Sequence, residues 1–169
     1  NPPYGVRLGD WRWGLGLAAA GVWMVRVGNR RRETRRAWIR SSGLPAGMVS
    51  DLVGVPGDNN HFYAAVRNAG VFSSTDGGAT WTDITNGITG VSATTTKIEL
   101  AVHNSAGTRV VYAAVGSSVG QLGGIFRSVN DGPFVALDIP NPNPNGGGQA
   151  FIHMALAAHP TDPNLVYYG

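Results

Sequence analysis

Cysteine is absent from the 169-residue chain, which excludes disulfides and thiolate metal sites without fixing the compartment. Lysine is almost absent too: Lys97 is the single one, and all other basic residues are arginines. No Asn-x-Ser/Thr sequon occurs. No window carries the 3.6-residue periodicity of a long amphipathic helix. The apolar run Gly14–Val25 has 12 residues, too few to cross a bilayer, which takes about 20. As a signal h-region it lacks a small-residue cleavage site, because arginines follow it. A buried strand pair is the expectation there. A start methionine is lacking as well, and the closing "NLVYYG" reads as mid-strand, so both ends are expected to belong to a fragment or a processed chain.

What is present points to β-structure. Hydrophobic residues make up 43% of the chain, enough for one domain with a real core. The 25 glycines, with β-branched residues and Asn/Asp/Ser/Thr turn strings, predict an all-β protein. Low Lys/Glu and abundant Asn/Gly/Ser/Thr suit an exported bacterial protein, so an extracytoplasmic or secreted location is expected. The net charge of +3 conceals an asymmetry. Residues 1–40 hold nine arginines against Asp10 and Glu33, a net +7, whereas residues 41–169 hold four basic and eight acidic side chains, a net −4. The basic character therefore belongs to one segment.

The chain repeats itself. "GVWMVRVG" at Gly21, "GVFSSTDGG" at Gly70 and "GIFRSVNDG" at Gly124 begin alike, at offsets of 49 and 54 residues. Upstream of the latter two, "FYAAV" and "VYAAV" place Tyr63 and Tyr112 also 49 apart, and "LVYYG" places Tyr167 another 55 on. The strings "VPGDNNH", "HNSAGTR" and "HPTDPN" precede these as loops of one character. The middle unit reads as four strands, "SDLVGV", "HFYAAV", "GVFSS" and "TWTDIT", joined by Gly-, Asn-, Pro- and Asp-containing turns. Phe62, Ala64 and Val66 alternate with Tyr63 and Ala65, yet both sets are apolar or small. Such a strand is sandwiched between two layers.

Four-stranded antiparallel units at a period of about 50 residues are the sequence sign of β-propeller blades. A β-sandwich, the alternative, does not need that period. The expected fold is an incomplete β-propeller of about three blades. Residues 1–40 form a basic N-terminal segment with part of a first blade, 41–88 a second blade, 89–140 a third, and 141–169 a linker with the first strands of a next. An arc of this kind has open faces and unpaired edges. It needs missing blades, a partner chain or self-association to cover them.

Ser74, Asp76, Gly78, Thr80 and Trp81 in "STDGGATW" fit the pattern Ser-x-Asp-x-Gly-x-Thr-Trp. This is the pattern of the Asp-box, or BNR repeat, and over residues 20–169 the chain resembles Asp-box β-propellers. These include sialidases, xyloglucanase-type glycoside hydrolases, sortilin-like receptors and photosystem II assembly factors. The resemblance implies that the box lies on the rim away from the ligand face. The chemistry of the residues agrees with a structural role. Asp76 can accept from backbone N–H groups of the turn, Gly77 and Gly78 permit its conformation, Ser74 and Thr80 can bond across the hairpin base, and Trp81 can bury its ring beneath. Nothing here is a nucleophile–base pair. "SVNDGPF" is a degenerate copy: it keeps Ser128 and Gly132, has Asn130 where Asp belongs, and is one residue short before Phe134.

The first copy has lost the box and carries the longer "RVGNRRRETRRA" instead. Its Arg30, Arg31, Arg32, Arg35 and Arg36 are either a solvated turn or an anion-binding contact for phosphate, acidic lipid or an acidic protein patch. Any membrane contact falls to this loop. Aromatic interleaving is poor, with Trp38 alone close by, so nucleic acid is not an expected partner.

Glycoside hydrolysis needs two carboxylates flanking the scissile bond. Asp51, Asp58, Asp83, Glu99, Asp131, Asp138 and Asp162 all fall in predicted turns or strand ends, and the shared loop position of Asp58 and Asp162 reads as architectural. "HPTDPNLVYYG" is similar to the P-x-D-P-N-x-x-Y lead-in of xyloglucanase-like and assembly-factor propellers. Against a hydrolase, the Phe/Tyr-Arg-Ile-Pro signature of sialidases is absent. The position comparable to the catalytic Asp of xyloglucanase-like enzymes lies near Asn68, which cannot act as an acid. His61, His103, His153 and His159 have no zinc spacing. No catalytic residue, metal or cofactor is expected. Asn141–Gln149 reads as a flexible connector whose asparagines are otherwise candidates for sugar hydroxyls, and Trp11, Trp13 and Trp23 are candidates for sugar stacking. The leading expectation is a non-catalytic scaffold that binds a protein or a glycan. The alternatives are a sialidase- or xyloglucanase-like fragment with its catalytic residues mostly elsewhere, and an assembly factor meeting a membrane complex through the arginine loop.

Overall fold

A computed structural model describes residues 41–92, 97–105, 107–117, 119–139, 148, 150 and 153–169, together with the strands Trp23–Val25 and Trp38–Arg40. Among the described residues there are strands and no helix, as the composition predicts. The body is two four-stranded antiparallel sheets. In the first, β3 (Val49–Gly54), β4 (Phe62–Val66), β5 (Gly70–Ser74) and β6 (Thr82–Asp83) lie side by side in chain order. In the second, β7 (Lys97–Ser105), β8 (Thr108–Gly116), β9 (Leu122–Val129) and β10 (Val135–Ala136) do the same. Two hairpins precede and follow them in the chain: β1 (Trp23–Val25) with β2 (Trp38–Arg40), and β11 (Leu156–Ala158) with β12 (Val166–Tyr168).

The sequence repeat is written in the strand registers. Trp23 faces Arg40, Phe72 faces Asp83 and Phe126 faces Ala136. Likewise Val53 faces Tyr63, Ala101 faces Tyr112 and Ala157 faces Tyr167. The β1–β2 hairpin thus matches the last two strands of a sheet, and β11–β12 matches the first two.

Burial follows the double-faced pattern of the second strands. Tyr63, Ala65 and Val71 of the first sheet share one core with Ile98, Val111, Ala113, Phe126 and Phe134 of the second. On the opposite face of the first sheet, Ala64 and Val66 pack with Phe72 and Trp81. The far face of the second sheet, with Val110, Tyr112, Ala114 and Ile125, is covered by Met154, Leu156, Ala158 and Val166. Three layers therefore stack, and the middle one is dry on both sides. The alanine pairs Ala64–Ala65 and Ala113–Ala114 are wholly buried, their small side chains suiting close sheet approach. Each fully buried Ile or Phe contributes about 1.5–3 kcal/mol, so these interleaved faces dominate the stability.

Two elements differ from the sequence expectation. The fourth strand "TWTDIT" shrinks to Thr82–Asp83, because its neighbours bond elsewhere. Trp81 N donates to Ser42 O (3.0 Å), and Thr85 Oγ1 accepts from Val71 N (3.0 Å). The string "HNSAGTR", expected as a loop, lies mostly within β7 and β8, since Ser105 pairs with Thr108 and Gly107 takes φ 79°. This hairpin is therefore longer than β3–β4, and it brings Arg109 onto a strand.

A linker ties each sheet to the strand before it. Trp81 N donates to Ser42 O (3.0 Å) and, one sheet later, Phe134 N donates to Asn86 O (2.8 Å). The next residues, Gly43 and Gly87, both have φ 90°. A Cβ there would run into Trp81 O at the first and Phe134 O at the second. Only glycine allows that approach with that conformation.

Candidate functional site

The turn after β5 is a closed clasp. Asp76 accepts from Thr80 N through both carboxylate oxygens (2.9 and 3.1 Å) and from Thr80 Oγ1 (2.6 Å). Ser74 Oγ donates to Asp76 Oδ1 (2.9 Å) and accepts from Gly78 N (2.9 Å). Trp81 is buried and its Nε1 donates to Gly78 O (3.1 Å). Ser74 and Thr80 therefore meet at Asp76 rather than across the hairpin base. These bonds, those from the Thr80 side chain and then its backbone foremost, hold the Asp76 carboxyl at about 2. An acid that stays ionised and saturated with turn donors has no proton to give in catalysis.

The degenerate turn after β9 is built differently. Ser128 takes the register position of Ser74, since Ser74 pairs with Phe62 and Ser128 with Val111. Its hydroxyl donates to Gly132 O (2.6 Å). Asn130 and Asp131 both lie in the left-handed region, φ 50° and 60°. Asn130 is pinned on Arg109: Arg109 N donates to its Oδ1 and its own N donates to Arg109 O, both at 2.9 Å. That conformation turns Asp131 away from its own turn and onto the first sheet.

There it completes a polar cluster at the seam. Tyr63 OH donates to Asp131 Oδ1 (2.5 Å) and accepts from Arg109 Nε (2.6 Å), while Arg109 Nη2 donates to Asp131 Oδ2 (2.6 Å). His61 Nε2 lies 3.1 Å from Ser73 Oγ and 3.8 Å from Asp131 Oδ2, its ring 4.9 Å from that of Tyr63. Burial, then the hydrogen bond to Asp131, push the Tyr63 phenol up, so it remains a donor. Burial first, and Arg109 second, lower His61, against the opposing pull of Asp131 and Asp58. The next seam repeats the device more simply: Tyr112 OH donates to Pro163 O (2.6 Å), which Arg127 Nη2 also approaches (3.3 Å).

Almost every acidic side chain from Asp51 onward is engaged in this way. Asp51 accepts from Leu52 N and, across the sheets, from Leu100 N (both 2.7 Å). Asp58 and Asp162 occupy the same loop position, as the sequence suggests, and each caps the amide two residues on, Asn60 N (3.0 Å) and Asn164 N (2.8 Å). Asp83 binds Thr85 N (2.8 Å) and Glu99 pairs with Lys97 (2.8 Å). Asp138, exposed beyond β10, is the exception. Asn68, with φ 66°, simply forms the turn between β4 and β5.

The histidines serve turns too. His103 is buried and donates through Nδ1 to His159 O (2.7 Å), and His159 Nδ1 accepts from Asp162 N (3.0 Å). His153 is exposed. Among the described residues no three His, Cys, Asp or Glu side chains gather around a common point suited to a metal.

Arg30, Arg31, Arg32, Arg35 and Arg36 lie outside the described residues, as do Trp11, Trp13 and most of Asn141–Gln149; the paired β1 and β2 bracket the arginines in the chain. The Tyr63–Arg109–Asp131–His61 cluster was not foreseen from sequence. Its one signal is the displacement of the acid by a residue in "SVNDG" relative to "STDGG". No protein-family model matches the chain, and no curated protein matches it in sequence.

Proposed function

We propose that the chain is a segment of an Asp-box β-propeller acting as a non-catalytic scaffold for a protein or glycan ligand at an extracytoplasmic surface. The observation that carries this reading is the fate of the carboxylates. Among the described residues, all carboxylates but Asp138 are bound to backbone amides, turn hydroxyls or a basic partner, so none of these forms an acid–base pair ready across a cleft. Three stacked layers with recurring register support the propeller over a two-layer sandwich, whose sheets would each keep a wet face. A further sheet, of this protein or of a second copy, covers β11–β12. Tyr167 is 54% exposed at the register position where Tyr63 and Tyr112 are fully buried.

The test is glycan-array binding alongside assays on sialosides and β-glucans. Binding without turnover is expected. Turnover abolished by a single carboxylate change, such as Asp138→Asn, overturns the scaffold reading in favour of a glycoside hydrolase fragment. Salt-sensitive capture of a membrane complex, lost when Arg30, Arg31 and Arg32 become alanine, overturns it in favour of an assembly factor.

A further inference from the structure

We propose that His61 makes the seam between the two four-stranded sheets a latch that acid loosens. The cluster around it is built for one cation. Arg109 from β8 and Asp131 from the turn after β9 form a pair at 2.6 Å, and Tyr63 from β4 joins both. Ser73 from β5 occupies His61 Nε2, and Asp58 in the loop after β3 is committed to Asn60 N. A neutral imidazole fits this balance. A proton on it puts a second positive charge beside Arg109 with one carboxylate between them. That carboxylate oxygen, Asp131 Oδ2, is already taken by Arg109 Nη2 and lies 3.8 Å from His61 Nε2, beyond hydrogen-bond reach. To reach it the charged ring must move onto an oxygen that Arg109 Nη2 already uses, which shares out the one carboxylate and loosens its pair with Arg109. The His61 side chain is only 5% exposed, so water offers little relief while the seam is closed.

The sign follows from linkage. The folded protein holds the His61 proton less tightly than an unfolded chain, whose histidine titrates near 6.5. The seam's full stability is present above 6.5 and is lost as pH falls through 6.5 toward the lower folded value.

Amide exchange of the full chain at β4 and β8, corrected for the intrinsic exchange rate, tests this from about pH 7.5 to 5.5. In wild type the opening constant is expected to rise below 6.5, by at most about tenfold per pH unit for one proton. In His61→Gln the seam is expected to show no such rise, whatever its baseline protection. An equal rise in the variant overturns the proposal, because His103, His153 and His159 would then carry the effect. NMR titration of the wild-type imidazoles decides the matter independently if the variant does not fold. A His61 titration below 6.5 supports the latch, and one at or above 6.5 refutes it.

Discussion

Removing one oxygen at each seam separates the two tyrosine ties. Tyr63→Phe keeps the buried ring and deletes a hydroxyl that donates to Asp131 (2.5 Å) and accepts from Arg109 (2.6 Å). Hydrogen bonds to charged groups are worth about 1.5–3 kcal/mol each. The Asp131 and Arg109 side chains are 27% and 23% exposed and stay paired, so water and the remaining ion pair recover part of the loss. The expected cost is about 2–3 kcal/mol in total. Tyr112→Phe deletes a single bond to a neutral carbonyl, Pro163 O (2.6 Å), for about 1 kcal/mol. In urea unfolding with a slope of about 2 kcal/mol/M, the midpoint falls by about 1 M for Tyr63→Phe and about half that for Tyr112→Phe. In an Asp131→Asn background the Tyr63→Phe cost is expected to shrink, because the two residues share one network. Equal midpoint shifts for the two phenylalanine variants, or a neutral Tyr63→Phe, would refute the claim that the displaced acid of the degenerate turn ties the sheets together.

Other consequences are as direct. Gly87→Ala is expected to destabilise by more than the roughly 1–2 kcal/mol of left-handed strain alone, because its Cβ meets Phe134 O; Gly57→Ala, with φ 82° and open space around it, should show the strain alone in the same thermal melts. Trp81→Ala is expected to cost about 3–5 kcal/mol by calorimetry, since it empties the space beneath the clasp. Asp76→Asn should raise amide exchange at 77–80 at neutral pH. Its carboxyl is held at about 2 in the folded chain against 3.8 for the ordinary value, so the clasp's contribution is complete above 3.8 and lost as pH falls toward 2. The exchange difference between wild type and variant should close over that window; a difference that persists at its acid end means the carboxylate charge is not what holds the turn.

The sequence by itself determined the all-β character, the repeat and the clasp. These are local or periodic facts: alternation in "FYAAV", glycines where a turn needs positive φ, and Ser74, Asp76 and Thr80 within a few residues of one another, close enough to satisfy each other without help from the rest of the chain. Only the tertiary structure decided how one repeat meets the next. The Tyr63 hydroxyl finds its partners 46 and 68 residues away, the Ser42 carbonyl meets Trp81, and Asn86 meets Phe134. Such contacts depend on stacking order and on the backbone conformation of Asn130 and Asp131, which aims a side chain across a seam instead of into its own turn. A linear pattern records which residues a strand buries, but the identity of the neighbour that covers them is set only when the sheets pack.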